Sequence, residues 1–325
     1  MNLQNRVLLV FLVLQSVILA AVLWPESPPG AEEPLIDGIT REQVVELATA
    51  DISGRGTRLV LGSDGCVLPD IDNYPCNEDD FLELVDEVLG LTKENLVAKT
   101  SDSHIRLTVS ERSFERTIEL VLSDGTIRRV FLGSVTQLGS IHARIDGEDD
   151  VYRVTSISTT DAPVGPASWI DTVYFATPED ALLSITVENS GGRLEFVKDD
   201  NGDWGIGELE EGEILDTEAV DLLISKVESM TMREPLGKSE DPSYRFDQLS
   251  ALVTVRSLDT DGAEQTRTIR IGAEFEDKVV FVVKSSESEY YALVAPFGVR
   301  DFVEHTRTNL LVPPPTPTPE PTPAP

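Results

Sequence analysis

Histidine and cysteine are scarce in this chain of 325 residues, with three of the first and two of the second. A zinc site needs about four ligands, commonly cysteine pairs two to four residues apart. Here Cys66, Cys76, His104, His142 and His305 are scattered along the chain. The C-x-x-C spacing of a thioredoxin-type redox pair is absent, as are G-x-S-x-G, the P-loop, the dinucleotide fingerprint and H-E-x-x-H. Basic charge is also short: 26 Lys and Arg face 58 Asp and Glu, a net charge of -32. A nucleic-acid binder needs a basic footprint to displace counterions, so that class is excluded. The same charge disfavours adhesion to anionic headgroups and reads as a solvated acidic surface. Carboxylates are so abundant that a chance pair within catalytic distance carries no weight. The expectation is a protein that is not an enzyme, with no catalytic residue, no metal and no cofactor.

Hydrophobic residues make up 40% of the chain, enough for packed cores, and the length suits two domains. Near the N-terminus, Val7 to Trp24 carries no charge, with Gln15 and Ser16 its only polar residues. As a helix this stretch would span about 27 Å, close to the hydrocarbon thickness of a bilayer. Trp24 suits the far interface and Pro25 ends the helix. Arg6 precedes the segment, while Glu26, Glu32 and Glu33 follow it. That bias places the N-terminus in the cytoplasm and the body outside. The Leu23-Trp24 pair after Ala20 and Ala21 is a poor cleavage context, so the segment reads as an uncleaved signal anchor. The expected location is the bacterial cell membrane, single-pass, with an extracytoplasmic body.

An internal repeat organises the remainder. Residues 77–91 (NEDDFLELVDEVLGL) and 216–230 (DTEAVDLLISKVESM) share one helical pattern. Phe81, Leu84, Val85 and Val88 correspond to Val220, Leu223, Ile224 and Val227, one apolar stripe on each helix. Asn77 and Asp216 stand at matching N-cap positions. The same offset pairs Gly133 with Gly272, Tyr152 with Tyr291, and the segment at Arg106 with that at Arg245. Around each helix apolar residues alternate with polar ones, and Asp124-Gly125 and Asp261-Gly262 signal hairpin turns. The stretch KDDNGDWGI, from Lys198 to Ile206, reads as a hairpin turn rather than a calcium loop.

The expected fold is α+β: an N-terminal transmembrane helix followed by two tandem repeated modules, each an antiparallel sheet with one packed helix. The expected boundaries are a cytoplasmic stub and anchor over 1–24, a linker over 25–38 and a first module over 39–157. A connector over 158–176, a second module over 177–297 and a Pro/Thr-rich tail over 298–325 follow.

The order of LVLGSDG-CVLP, YP before a capped helix, LSDGTIRRVFLG, HARIDGEDDVYRV and SWID at Ser168 to Asp171 resembles the bacterial domain-of-unknown-function family 4340 (DUF4340). The resemblance implies a membrane-anchored envelope protein and no known activity. It also implies relatives often encoded beside transporter components like those of gliding motility. Cys66 and Cys76 stand outside that family pattern. In an oxidising exterior they are expected to pair as a disulfide. Trp169, in the connector, reads as an apolar plug between the modules and as a weak candidate for partner contact. The functional expectation is an interaction or scaffold module of an envelope or ABC-transporter-associated complex, with a membrane protein as partner. The alternative is a ligand- or polymer-binding protein that uses the cleft between the two repeats.

Overall fold

The computed structural model describes residues 33–313 apart from 94, 137–138, 200, 208 and 276–278. The first half contains β1 (Val44–Ala50), β2 (Gly56–Gly62), β3 (Gly65–Leu68), β4 (Tyr74–Pro75), α1 (Glu78–Leu89) and β5 (Asn95–Ala98). It continues through β6 (Val109–Ser110), β7 (Ser113–Phe114), β8 (Arg116–Leu122), β9 (Ile127–Val135), β10 (Ile141–Ile145) and β11 (Val151–Val154). After β12 (Val173–Ala176) come β13 (Leu182–Asn189), β14 (Gly192–Lys198), β15 (Trp204–Ile206) and α2 (Thr217–Glu228). Next are β16 (Ser229–Thr231), β17 (Glu234–Pro235), β18 (Ala251–Leu258), β19 (Glu264–Phe275), β20 (Val280–Ser285) and β21 (Tyr291–Val294). The last α-helix is α3 (Pro296–Glu304).

Two large antiparallel sheets dominate. The first has nine strands in the order β4-β3-β2-β1-β8-β9-β10-β11-β5, and the second has eight in the order β15-β14-β13-β18-β19-β20-β21-β17. With β4 set aside, the strands of both sheets follow the same order, so their positions can be compared register by register. Alternation sets the faces: Ile118, Leu120 and Leu122 of β8 are buried, while Thr117, Glu119 and Val121 between them are not. Gly125 and Gly262 close the β8–β9 and β18–β19 hairpins with φ of 84° and 81°, where a side chain would be strained.

Both long helices start on the expected caps. The Asn77 side chain accepts from the Asp79 amide and that of Asp216 from the Ala219 amide, each at 3.1 Å. Phe81, Leu84, Val85 and Val88 of α1, and Val220, Leu223, Ile224 and Val227 of α2, are all buried. Each such side chain contributes about 1.5–3 kcal/mol on leaving water.

The α+β expectation is corrected here. Among the described residues the chain is mainly β, with strands far outnumbering helices. One hydrophobic core runs without a break through residues of both sheets and of the three α-helices among the described residues. At twelve residues each, α1 and α2 are small beside sheets of nine and eight strands, and inward strand faces supply most of the core. Among the described residues the layout is therefore a pair of large sheets on a common core, not two separate helix-on-sheet modules. The apolar segment from Val7 to Trp24 lies outside the described residues. Among those described, no helix is long and apolar enough to cross a membrane.

Candidate functional site: the joint, the free edge and the outer face of the first sheet

At one end of the first sheet, β4 is tied into the joint with the second. Cys66 and Cys76 form a disulfide, and the Cys76 amide donates to the Cys66 carbonyl at 2.9 Å. Beside it, Tyr74 meets Tyr290 edge to face with ring centroids 4.6 Å apart. The Tyr290 hydroxyl donates to the Asn73 carbonyl at 2.8 Å, and the Lys238 amide donates to Asp72 Oδ2 at 2.7 Å. Trp169 completes the joint. Its ring is only 2% exposed, its Nε1 donates to the Pro163 carbonyl at 3.3 Å, and its carbonyl accepts from the Asn77 amide that opens α1. The structure thus places Cys66, Cys76 and Trp169 in the joint, with little of Trp169 left to touch a partner.

The rim of Trp169 does floor a notch of about 360 Å³ between α1 and the connector, walled by Asp80, Glu83, Glu87 and Asp161. Burial, then the charges of Asp161 and Glu83, push the Glu87 carboxyl above its usual range.

The opposite end of the first sheet is different. β5 pairs with β11 through Ala98–Val151, Leu96–Tyr152 and Asn95–Arg153, and it is the terminal strand. Leu96 and Val97 are 42% and 44% exposed there. The corresponding strand of the second sheet, β17, has two residues and ends in Pro235, which has no N–H to offer an incoming strand. The first sheet therefore presents an apolar edge that the second does not.

The outer face of this sheet is partly covered by the loop from Ser101 to Phe114 and its small β6–β7 ribbon. Leu107, Val109, Phe131 and Val151 make a satellite core beneath it. Gly133 permits the approach, since a Cβ there would lie 2.3 Å from the Leu107 carbonyl oxygen. Gly272 does the same in the second sheet, 2.2 Å from that of Tyr244. Arg144 is buried under the loop over the Phe131 ring, and its guanidinium donates to the carbonyls of Val109, Ile145 and Glu148. Burial holds its proton affinity below that of a free guanidinium. His104 is buried with Nε2 2.9 Å from the Asp149 carbonyl. Arg144 and His104 line a cavity of about 510 Å³ with Ser101, Ile105 and Arg112. Both are spent on backbone carbonyls, which makes them structural.

Next to this covered region the face opens. His142 of β10 lies directly across from Arg153 of β11, both half-buried. Ser134 of β9 places Oγ 3.4 Å from His142 Nδ1. Burial, then the nearby charges of Arg106 and Arg153, lower the His142 pKa from its usual value. Sequence reading had no signal for this group. Cross-strand register creates it, and an exact register cannot be read from alternation alone.

The profile of the family described as Domain of unknown function (DUF4340) matches residues 67–249. The chain belongs to the DUF4340 family. No curated protein and no solved structure matches it. The DUF4340 match starts inside β3 and ends just before β18, so it spans the joint, the free edge and the His142 face alike.

Proposed function

We propose that this DUF4340 protein is a single-pass, membrane-anchored interaction module that holds a membrane-protein partner of an envelope or ABC-transporter-associated complex. Partner binding occurs by strand addition at β5, and the protein has no turnover of its own. The observation that carries the reading is the exposed apolar edge at Leu96 and Val97, in a position where the second sheet has Pro235 instead. Edge strands left open with aliphatic side chains are templates for a further strand, and proteins ordinarily blunt them with charge or proline. Support for an extracytoplasmic body comes from the Cys66–Cys76 disulfide, which suits an oxidising compartment, and from the uncharged stretch between Val7 and Trp24. A ligand cleft between the two sheets is the weaker reading, because side chains of both meet there in one packed core.

The test is to replace Leu96 and Val97 together by lysine and to recover partners from gently solubilised membranes. Loss of a membrane protein that the unaltered chain retains, with the more exposed Leu222→Lys on α2 as the control, supports the edge. Equal recovery by both variants contradicts it.

A further inference from the structure

The outer faces of the two sheets can be superposed through their register. His142 and Arg153 are opposite one another in β10–β11, and the equivalent pair in β20–β21 is Val282 and Leu293. Ser134, beyond the glycine of close approach, corresponds to Ala273. In the second sheet the pair is sealed: Val282 and Leu293 are 0% and 3% exposed and pack with Phe246 and Tyr291 in a separate apolar cluster. The fold is therefore compatible with two aliphatic side chains at this place. In the first sheet it carries an imidazole and a guanidinium, both only half-buried.

Charge makes this substitution unusual. The protein is strongly acidic, and Arg58, Arg129, Arg267 and Arg307 each reach a carboxylate. The side chains of Arg106 and Arg153 make no hydrogen bond or ion pair among the described residues, yet Arg153 lies across from His142 and both charges act on it. Like charges gathered on one patch of sheet are destabilising unless an anion joins them. The donors present suit a compact oxyanion. Two guanidinium groups offer paired N–H bonds. His142, with Nδ1 3.4 Å from the Ser134 hydroxyl, adds a ring whose protonated form donates an N–H as well. We propose that Arg106, Arg153 and His142, with Ser134 orienting the ring, form a binding site for a phosphate group on the outer face of the first sheet. The site is independent of strand addition at β5, though Asn95 of β5, opposite Arg153, places the two features side by side.

The full chain has three histidines, so its imidazole proton resonances can be followed individually, with His142→Gln giving the assignment. Inorganic phosphate and glycerol phosphate are titrated separately at low ionic strength, with chloride as the control. The expected result is a saturable shift of the His142 resonance and a rise of its pKa with phosphate. His104 and His305 stay in place and chloride has no effect. Tighter binding of glycerol phosphate would assign the natural ligand to an esterified phosphate, and tighter binding of inorganic phosphate to the free ion. Arg153→Gln and, separately, Arg106→Gln on the exposed loop should each weaken binding by about tenfold, the scale of a lost charge-assisted hydrogen bond. Each should also raise the His142 pKa in the absence of phosphate. A His142 resonance that ignores phosphate, or that follows chloride equally, overturns the site. So does unchanged binding in both arginine variants.

Discussion

Tyr74, at the last residue pair of the first sheet, meets Tyr290, in the β20–β21 hairpin of the second, at 4.6 Å and 64°. This contact bolts together sheets that are far apart in sequence, and the hydroxyl of Tyr290 adds its bond to the Asn73 carbonyl. An edge-to-face pair contributes about 0.5–1.5 kcal/mol beyond area burial, and a net hydrogen bond about as much. Tyr290→Ala should therefore cost roughly 1–3 kcal/mol in denaturant unfolding, by the sum of those two effects. Tyr290→Phe should cost only the hydrogen-bond share. Equal losses for both variants would show that the ring contact contributes nothing.

The disulfide should matter to the whole molecule. Closing a loop of 10 residues between Cys66 and Cys76 stabilises by up to about 2.5–3 kcal/mol in the chain-entropy account. Because the core is continuous across both sheets, reduction should lower a single unfolding midpoint rather than split the transition. A Cys66→Ser/Cys76→Ser variant that unfolds in two steps would argue for independent halves.

Gly133 and Gly272 test the close approach of the covering loops. A methyl group at either would meet a backbone oxygen, which cannot rotate away as a side chain can. Each alanine variant should lose about 1–3 kcal/mol or more, the usual cost of overpacking. At Gly62 the nearest atom is 3.9 Å away, and alanine should be tolerated there. Thermal unfolding of the three variants side by side makes the comparison.

Acid sensitivity should be concentrated in the β1–β2 turn. Asp51 is buried and accepts from the Ser53 hydroxyl and from Arg55. Those bonds, that of Ser53 foremost, bring its pKa down to about 2. The folded value lies below the unfolded one, so the contribution is complete above the unfolded carboxyl pKa and declines as pH falls toward 2. Asp51→Asn should be less stable than the unaltered chain at neutral pH, with the gap closing between pH 4 and pH 2, the window set by those two values. A gap that is constant with pH would remove Asp51 from the acid response.

Much of the local architecture was legible in the sequence because its signals are local. The alternation of Ile118, Leu120 and Leu122, the Asp-Gly turns, and the apolar stripe ending at Val88 depend on neighbours a few residues away. The balance of classes was not legible, since periodicity says which face is buried but not against what. Phe81 and Val220 both read as facing their own sheet, whereas the structure places both in a core shared by two sheets. Constant spacing also misled. Val135 and its partner Ile141 are six positions apart, one fewer than the equivalent Glu274 and Phe281, so Tyr152 pairs with Ala143 and faces the core. Tyr291 pairs with Lys284 and faces outward into the second cluster. The same arithmetic hides His142 and Arg153, which are eleven residues apart in sequence order and adjacent only once the strands are in register.

The central claim is that β5 is the docking edge, and a photocrosslinking amino acid at Val97 in the full chain tests it most directly. With the same group at Leu222 as the reference, illumination of intact cells should give a discrete adduct with a membrane protein from position 97 and none from position 222. An adduct from position 222 alone, or the same set from both, would contradict strand addition at this edge.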